Sequence, residues 1–229
     1  EGRRGQWKVI REYFPSTTKP ALVECYQIVN TGQKELAVEL PEVNQKSFTD
    51  PKKGVTGSFC IETSTDKSGY FIVKPGETLQ FGAVLTAYKE GENAPTFDVL
   101  QEKAQRQALV DELMGKLVLE TPDPAIDRMF AFSKIRGCES IYETKGGPMH
   151  GPGGESYYAA IWANDQAEYI NPFFPFVGYE YGNASALCSY QHFARFMNDD
   201  WKPIPSSIIA EGIDIWNGAG DRGDAAMIA

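Results

Sequence analysis

Over residues 1–95 apolar and polar positions alternate with a period of two. Leu36, Val38 and Leu40 alternate with Ala37 and Glu39, Phe59 and Ile61 with Cys60 and Glu62, and Leu79, Phe81, Ala83, Leu85 and Ala87 fall on one side. Successive side chains of a strand point to opposite faces, so this spacing predicts strands with one side on a core. Residues 7–14 and 21–29 read as two further strands, split by Ser16-Thr17-Thr18-Lys19-Pro20 and closed by Asn30-Thr31-Gly32. Lys74-Pro75-Gly76-Glu77 carries the Pro-Gly centre of a type II turn. With no helical period between them, these strands predict an antiparallel β-sandwich over residues 1–95.

The period then changes. Val110, Leu113, Met114 and Leu117 fall at i, i+3, i+4 and i+7, which predicts a helix over about 97–119 within a helical linker, 96–123. In Thr121-Pro122-Asp123-Pro124, Asp123 is placed to cap a helix whose first residue is Pro124, a position where the missing N–H has no cost. Ile126, Met129 and Phe130 open that helix, expected to run to about residue 142. Residues 145–154 form a glycine-rich run that reads as a loop and lacks the Gly-Lys-Ser/Thr ending of a phosphate loop. A helix is expected over about 158–169, a Pro/Phe-rich loop over 171–181, and a helix over about 183–197 with Tyr190, Phe193, Ala194 and Met197 as its buried stripe. Residues 224–229 read as the first turns of another helix, so the expectation is that 124–229 opens a larger helical domain.

Composition narrows the function. The chain has 229 residues, 42% of them apolar and 12% aromatic, with a formal net charge of −9. No Lys/Arg run supplies the basic face that phosphate needs, which excludes nucleic acid and an anionic membrane surface as partners. The longest apolar run is too short to span a bilayer. Four cysteines, at 25, 60, 138 and 188, form no CxxC pair, and His150 and His192 are the only histidines, so no metal site or cofactor is expected. Buried thiols are the expected state, a Cys25–Cys60 disulfide the other reading. No signal peptide is read at the charged start, which looks trimmed.

Three clusters could carry chemistry. In Trp162-Ala163-Asn164-Asp165 a Trp could stack on a sugar face while Asp165 accepts from its hydroxyls; a buried Trp beside a helix-terminal acid is the plainer reading. From 214 to 224, Asp214, Trp216, Asp221, Arg222 and Asp224 lie in a glycine-rich run. Crowded carboxylates raise one another's pKa, which makes a general acid. Asp221 is the better acid candidate; Asp224 is read as a structural cap or a substrate-binding group, and Arg222 as a partner of Asp221. The third cluster is Glu155, Glu168 and Glu180 among Tyr157, Tyr158, Tyr169, Tyr179 and Tyr181, equally suited to a polysaccharide cleft or to an ordinary helix surface.

Taken in order, these segments resemble the six-hairpin glycosidases, glucoamylase-like and rhamnosidase-like. The resemblance implies a β-sandwich followed by the first helices of an (α/α)6 barrel, the incomplete barrel being residues 124–229. Trp162–Asp165 is similar to a segment whose Arg-Asp pair grips the sugar at the cleavage point, with Asn164 in place of the Arg. Asp214-Ile215-Trp216 is similar to the glucoamylase acid segment, where the acid follows the Trp directly; here Asn217 follows, leaving Asp221 or Asp214 as the catalytic candidates. Residues 220–226 resemble the Gly-x-x-Gly-Asp-Ala segment of rhamnosidase-like enzymes, which gives Asp224 a sugar contact. The resemblance implies substrate binding by Trp162, Asp165, Trp216, Arg222 and Asp224, and an inverting hydrolysis of oligo- or polysaccharide whose general base lies on a late barrel helix outside this chain. It implies a periplasmic or extracellular protein and a sandwich that serves as packing and homodimer surface. Asn217 also motivates an alternative, a non-catalytic carbohydrate-binding protein that uses exposed aromatics such as Trp7, Tyr70 or Tyr88.

Overall fold

The computed structural model describes residues 2–4, 6–53, 57–144, 146–151, 160–202, 204–209 and 224–228. The chain divides into two units, Glu1–Leu109 and Val110–Ala229, a β unit followed by a helical one.

In the β unit, β1 (Gly2–Arg4), β2 (Trp7–Pro15), β3 (Ala21–Asn30), β5 (Asn44–Phe48), β6 (Phe59–Thr65) and β8 (Thr78–Lys89) form one antiparallel sheet in the order β1-β2-β3-β8-β6-β5. β4 (Leu36–Leu40) and β7 (Gly69–Val73) pair as a separate antiparallel ribbon. The alternation sets the faces. Val23 and Cys25 of β3 lie opposite Val84 and Gly82 of β8 and face the core, while Leu22, Glu24 and Tyr26 lie opposite Leu85, Ala83 and Phe81 on the other side. β5 is exposed along its whole length and carries Lys46, a composition that discourages edge-to-edge pairing and that gives no apolar period to read. The turn at Lys74–Glu77 closes through a Glu77 N–H bond to the Lys74 carbonyl of 2.9 Å, with Gly76 at φ 81°.

Helix α1 (Val99–Gly115) begins in this unit and ends in the next. Its first turns bury Val99 against Val23, Cys25 and Val84. Gly82 permits this approach, since a Cβ there would lie 2.5 Å from a Val99 methyl. Glu102, 2% exposed, accepts from Ser16 Oγ and Lys19 Nζ, both at 2.6 Å. Burial alone would raise its carboxyl; the two donors outweigh that and hold it below its ordinary value.

In the helical unit, α2 (Pro124–Glu139) starts as expected: Asp123 accepts from the Ala125 N–H at 2.8 Å and Pro124 is the first residue. It stops three residues earlier than expected, because β9 (Ile141–Thr144) turns back as a hairpin with β10 (Gly147–His150), Thr144 facing Gly147. Four of the ten residues of the expected glycine-rich loop, Gly147–His150, are therefore strand. Thr144 closes the turn, donating to the Gly147 carbonyl at 2.8 Å and accepting from the Gly146 N–H at 3.1 Å. The helix expected over 158–169 is β11 (Ala160–Trp162), paired with β12 (Ser207–Ile209), and only then a helix. That helix runs through α3 (Ala163–Asp165), a π turn (Gln166–Ile170) and α4 (Asn171–Val177).

The Pro/Phe-rich stretch expected as a loop is thus largely helical. Pro172 sits in the first turn of α4, where its missing N–H is tolerated, and Asn171, Phe174 and Val177 are all buried; that packing outweighs the cost of Pro175 one turn later. α5 (Glu180–Ala194) follows, and α6 (Asp224–Ile228) contributes its end to a core of Met149, Ile161, Ala163, Phe193, Ile208 and Ile228. All four cysteines are free and buried. Among the described residues no helix is long and apolar enough to cross a membrane.

Candidate functional site

Trp162 ends β11 opposite Ser207 and is half-buried. The Ala163 N–H bonds to the Ser206 carbonyl at 2.9 Å, so the chain passes from strand to helix directly after the Trp and presents Asp165 on the first helical turn. The Tyr169 hydroxyl, one turn on, donates to Asp165 Oδ1 at 2.5 Å. Burial, then this hydrogen bond, raises the phenol well above its ordinary value, which keeps it a neutral donor beside the carboxylate. Asp214, Trp216, Asn217, Asp221 and Arg222 lie outside the described residues, as do Glu155, Tyr157 and Tyr158. Asp224 is the first residue of α6, and α6 packs beside α3 and the π turn. Of the second segment read as sugar-binding, only the helix that begins at Asp224 is described, and that helix lies beside the turn that carries Asp165. In the third cluster, Tyr181 donates to Glu143 at 3.1 Å and stands edge-on to Tyr179. The acids that these tyrosines use are Asp165 and Glu143.

Beside Asp165 lies a cleft of about 410 Å3, lined among others by Phe130 and Arg136 from α2, His150 from β10, and Tyr169, Ile170 and Phe173. His150 is 4% exposed. Its backbone carbonyl accepts from Gln166 Nε2 at 2.9 Å, and its ring meets Phe174 edge-on at 5.9 Å. Neither ring nitrogen has a hydrogen-bond partner among the described residues. Burial pushes the imidazole below its ordinary value, opposed by the backbone of His150 and Gly137, which lies near the ring without reaching hydrogen-bond geometry, and by Asp165. It is therefore neutral at pH 7, with one N–H donor and one acceptor. In sequence His150 stands out only as a possible metal ligand, and its place in a Gly/Pro run carries no sign of burial. Lys134, also on the cleft wall and 2% exposed, is committed elsewhere: its ammonium donates to the carbonyls of Met114 at 3.2 Å, Leu117 at 3.3 Å and Lys116, at the end of α1. No group of three or more His, Cys, Asp or Glu among the described residues is arranged to hold a metal ion.

The β unit has a groove of about 450 Å3 on its open face, beside Tyr26 and Phe81, whose rings stack at 4.9 Å. Arg11 and Glu24 pair on that face at 2.5 Å. The three aromatics considered for sugar binding do not assemble there. Trp7 lies opposite Asn30, on the same face as Tyr26. Tyr88 lies opposite Cys60 on the core-facing side, its hydroxyl 2.6 Å from Glu62. Tyr70 stands 80% exposed on the separate ribbon.

No protein-family model matches the chain, and no curated protein matches it.

Proposed function

We propose that this protein is the N-terminal part of a six-hairpin glycoside hydrolase, with the β unit as its sandwich and residues 124–229 opening its (α/α)6 barrel. The observation that carries the reading is the Trp162–Asp165 turn. It sets a half-buried Trp at a strand end, a carboxylate with an aligned Tyr169 hydroxyl one turn later, and the Asp224 helix alongside. Rings that offer an apolar face and hydroxyls at the edge are what such a surface suits. Hydrolysis would proceed with inversion: Asp221, or Asp214, donates the proton to the leaving oxygen, and a carboxylate outside this chain activates water from the opposite side. Trp162, Asp165, Trp216, Arg222 and Asp224 would hold the sugar. The reading also carries a periplasmic or extracellular location and a sandwich surface used in dimerisation.

The alternative, a non-catalytic sugar-binding module in residues 1–95, has weaker support, because Trp7, Tyr70 and Tyr88 occupy three different surfaces. The test is Asp221→Asn in the full-length protein, assayed on a panel of aryl glycosides and oligosaccharides. Hydrolysis should be lost while sugar binding survives; near-normal turnover overturns the assignment of Asp221.

A further inference from the structure

The cleft beside Asp165 contains a feature that neither the fold nor the Trp162–Asp165 motif requires. Buried polar atoms are nearly always hydrogen-bonded, and one left unpaired costs about 1–3 kcal/mol. His150, a residue of the cleft wall, buries two such atoms in a ring that packs edge-on against Phe174. A neutral imidazole presents one donor and one acceptor. The complementary ligand group is the hydroxyl, which donates and accepts at once. A second polar residue of the lining is Tyr169, whose hydroxyl donates to Asp165 and keeps its oxygen lone pairs as acceptors. The rest of the wall is mixed: Ile170, Phe130 and Phe173 supply apolar surface, and Ser133, Arg136 and Ser140 add polar groups. A volume near 410 Å3 is in the range of small-ligand sites.

We propose that this cleft is a subsite for one sugar ring, in which His150 binds a ring hydroxyl, Tyr169 binds a second, and the phenyl groups of Phe130 and Phe173 cover the ring's C–H face. The inference rests on the carbohydrate reading above but concerns different residues from those that resemblance supplies. It makes His150 a binding residue, with no part in proton transfer.

His150 and His192 are the only histidines, so the imidazole nitrogens of the whole chain give a spectrum that can be followed directly by 15N NMR. His192 serves as the internal control, with Nε2 placed 2.8 Å from the Gly146 carbonyl. The probes are methyl glucoside, methyl galactoside and methyl rhamnoside, titrated separately near pH 7.5 and assigned with His150→Gln. At least one should shift the His150 nitrogens saturably and leave His192 in place. If none moves His150, or if both histidines move together, the proposal is wrong.

In the full-length protein, His150→Gln should raise KM or Kd for the responding sugar about tenfold with kcat little changed, and Tyr169→Phe should do so by a smaller factor. Unchanged KM in both variants also overturns it. The outcomes separate the two readings. A saturable His150 shift in a protein without hydrolase activity leaves the subsite standing and removes the hydrolase. Hydrolysis with no response at His150 does the reverse.

Discussion

The two units treat buried polar groups differently. In the β unit, buried Glu102 is met by Lys19 and Ser16, and buried Asn30 donates to the carbonyls of Lys34 and Val73, both at 2.8 Å. In the helical unit, His150, Gln166, Asn171 and His192 each leave at least one buried side-chain atom without a partner, and no such atom occurs among the described residues of the β unit. A polar group buried for the sake of the fold is satisfied by the fold. One that is buried and left open is retained for something else, and local inconsistency of this kind gathers at functional sites. The contrast agrees with the proposed function, which puts the chemistry in the helical unit.

Substitutions of satisfied groups should therefore be costly in either unit, and substitution of an open one should not. The largest effect is expected at Lys134→Met. This keeps the stem's volume but removes the ammonium that serves three carbonyls at the end of α1, at a cost of about 3 kcal/mol in urea unfolding. A loss well below 1 kcal/mol would place Lys134 with the open groups and blur the comparison. Glu102→Leu should cost about 2 kcal/mol at pH 7, less than a fully buried pair because Lys19 is 35% exposed. The same carboxyl gives a pH signature. Its folded pKa is depressed, so its contribution is complete above the ordinary value of 4.5 and is lost as the pH falls through the folded value. Wild type should lose stability over that acid range more steeply than Glu102→Leu; equal slopes would break the assignment. Asp123→Ala removes one cap bond from α2 and should cost about 1 kcal/mol, read as a small shift in the unfolding midpoint.

What the sequence made legible follows the same division. Alternation located β4 at Leu36–Leu40, where burial follows residue parity, but it pointed to the less buried side of β8: Gly82, Val84 and Thr86 are its buried residues, because Val99 packs on that face, while Leu85 of the apolar set is exposed. Asp123-Pro124 announced a helix start because capping is a local reaction between adjacent groups. Asn171–Val177 failed as a loop because its helicity comes from Phe174 and Val177 packing inside the unit, against the local preference of two prolines. β11 and β12 pair across about 45 residues, Trp162 with Ser207, a contact that no local pattern encodes. Trp162 and Asp165 were visible as residue types, whereas His150 was not, since its meaning lies in burial and absent partners rather than in a motif.

The most direct test is the stability of His150→Leu, measured by urea unfolding of the whole chain at pH 7 and again at pH 5. If the imidazole is held for a ligand, removing it relieves two unpaired buried atoms, and the variant should match wild type or exceed it by up to about 1 kcal/mol at pH 7. The folded-state pKa lies below the ordinary 6.5, so wild type should weaken as the pH falls below that value, when the unfolded chain takes up a proton that the buried ring resists. The advantage of the variant should therefore widen at pH 5. A loss of 2 kcal/mol or more at pH 7, with no widening at pH 5, would mean that His150 holds the fold together, and the contrast between the two units would fail.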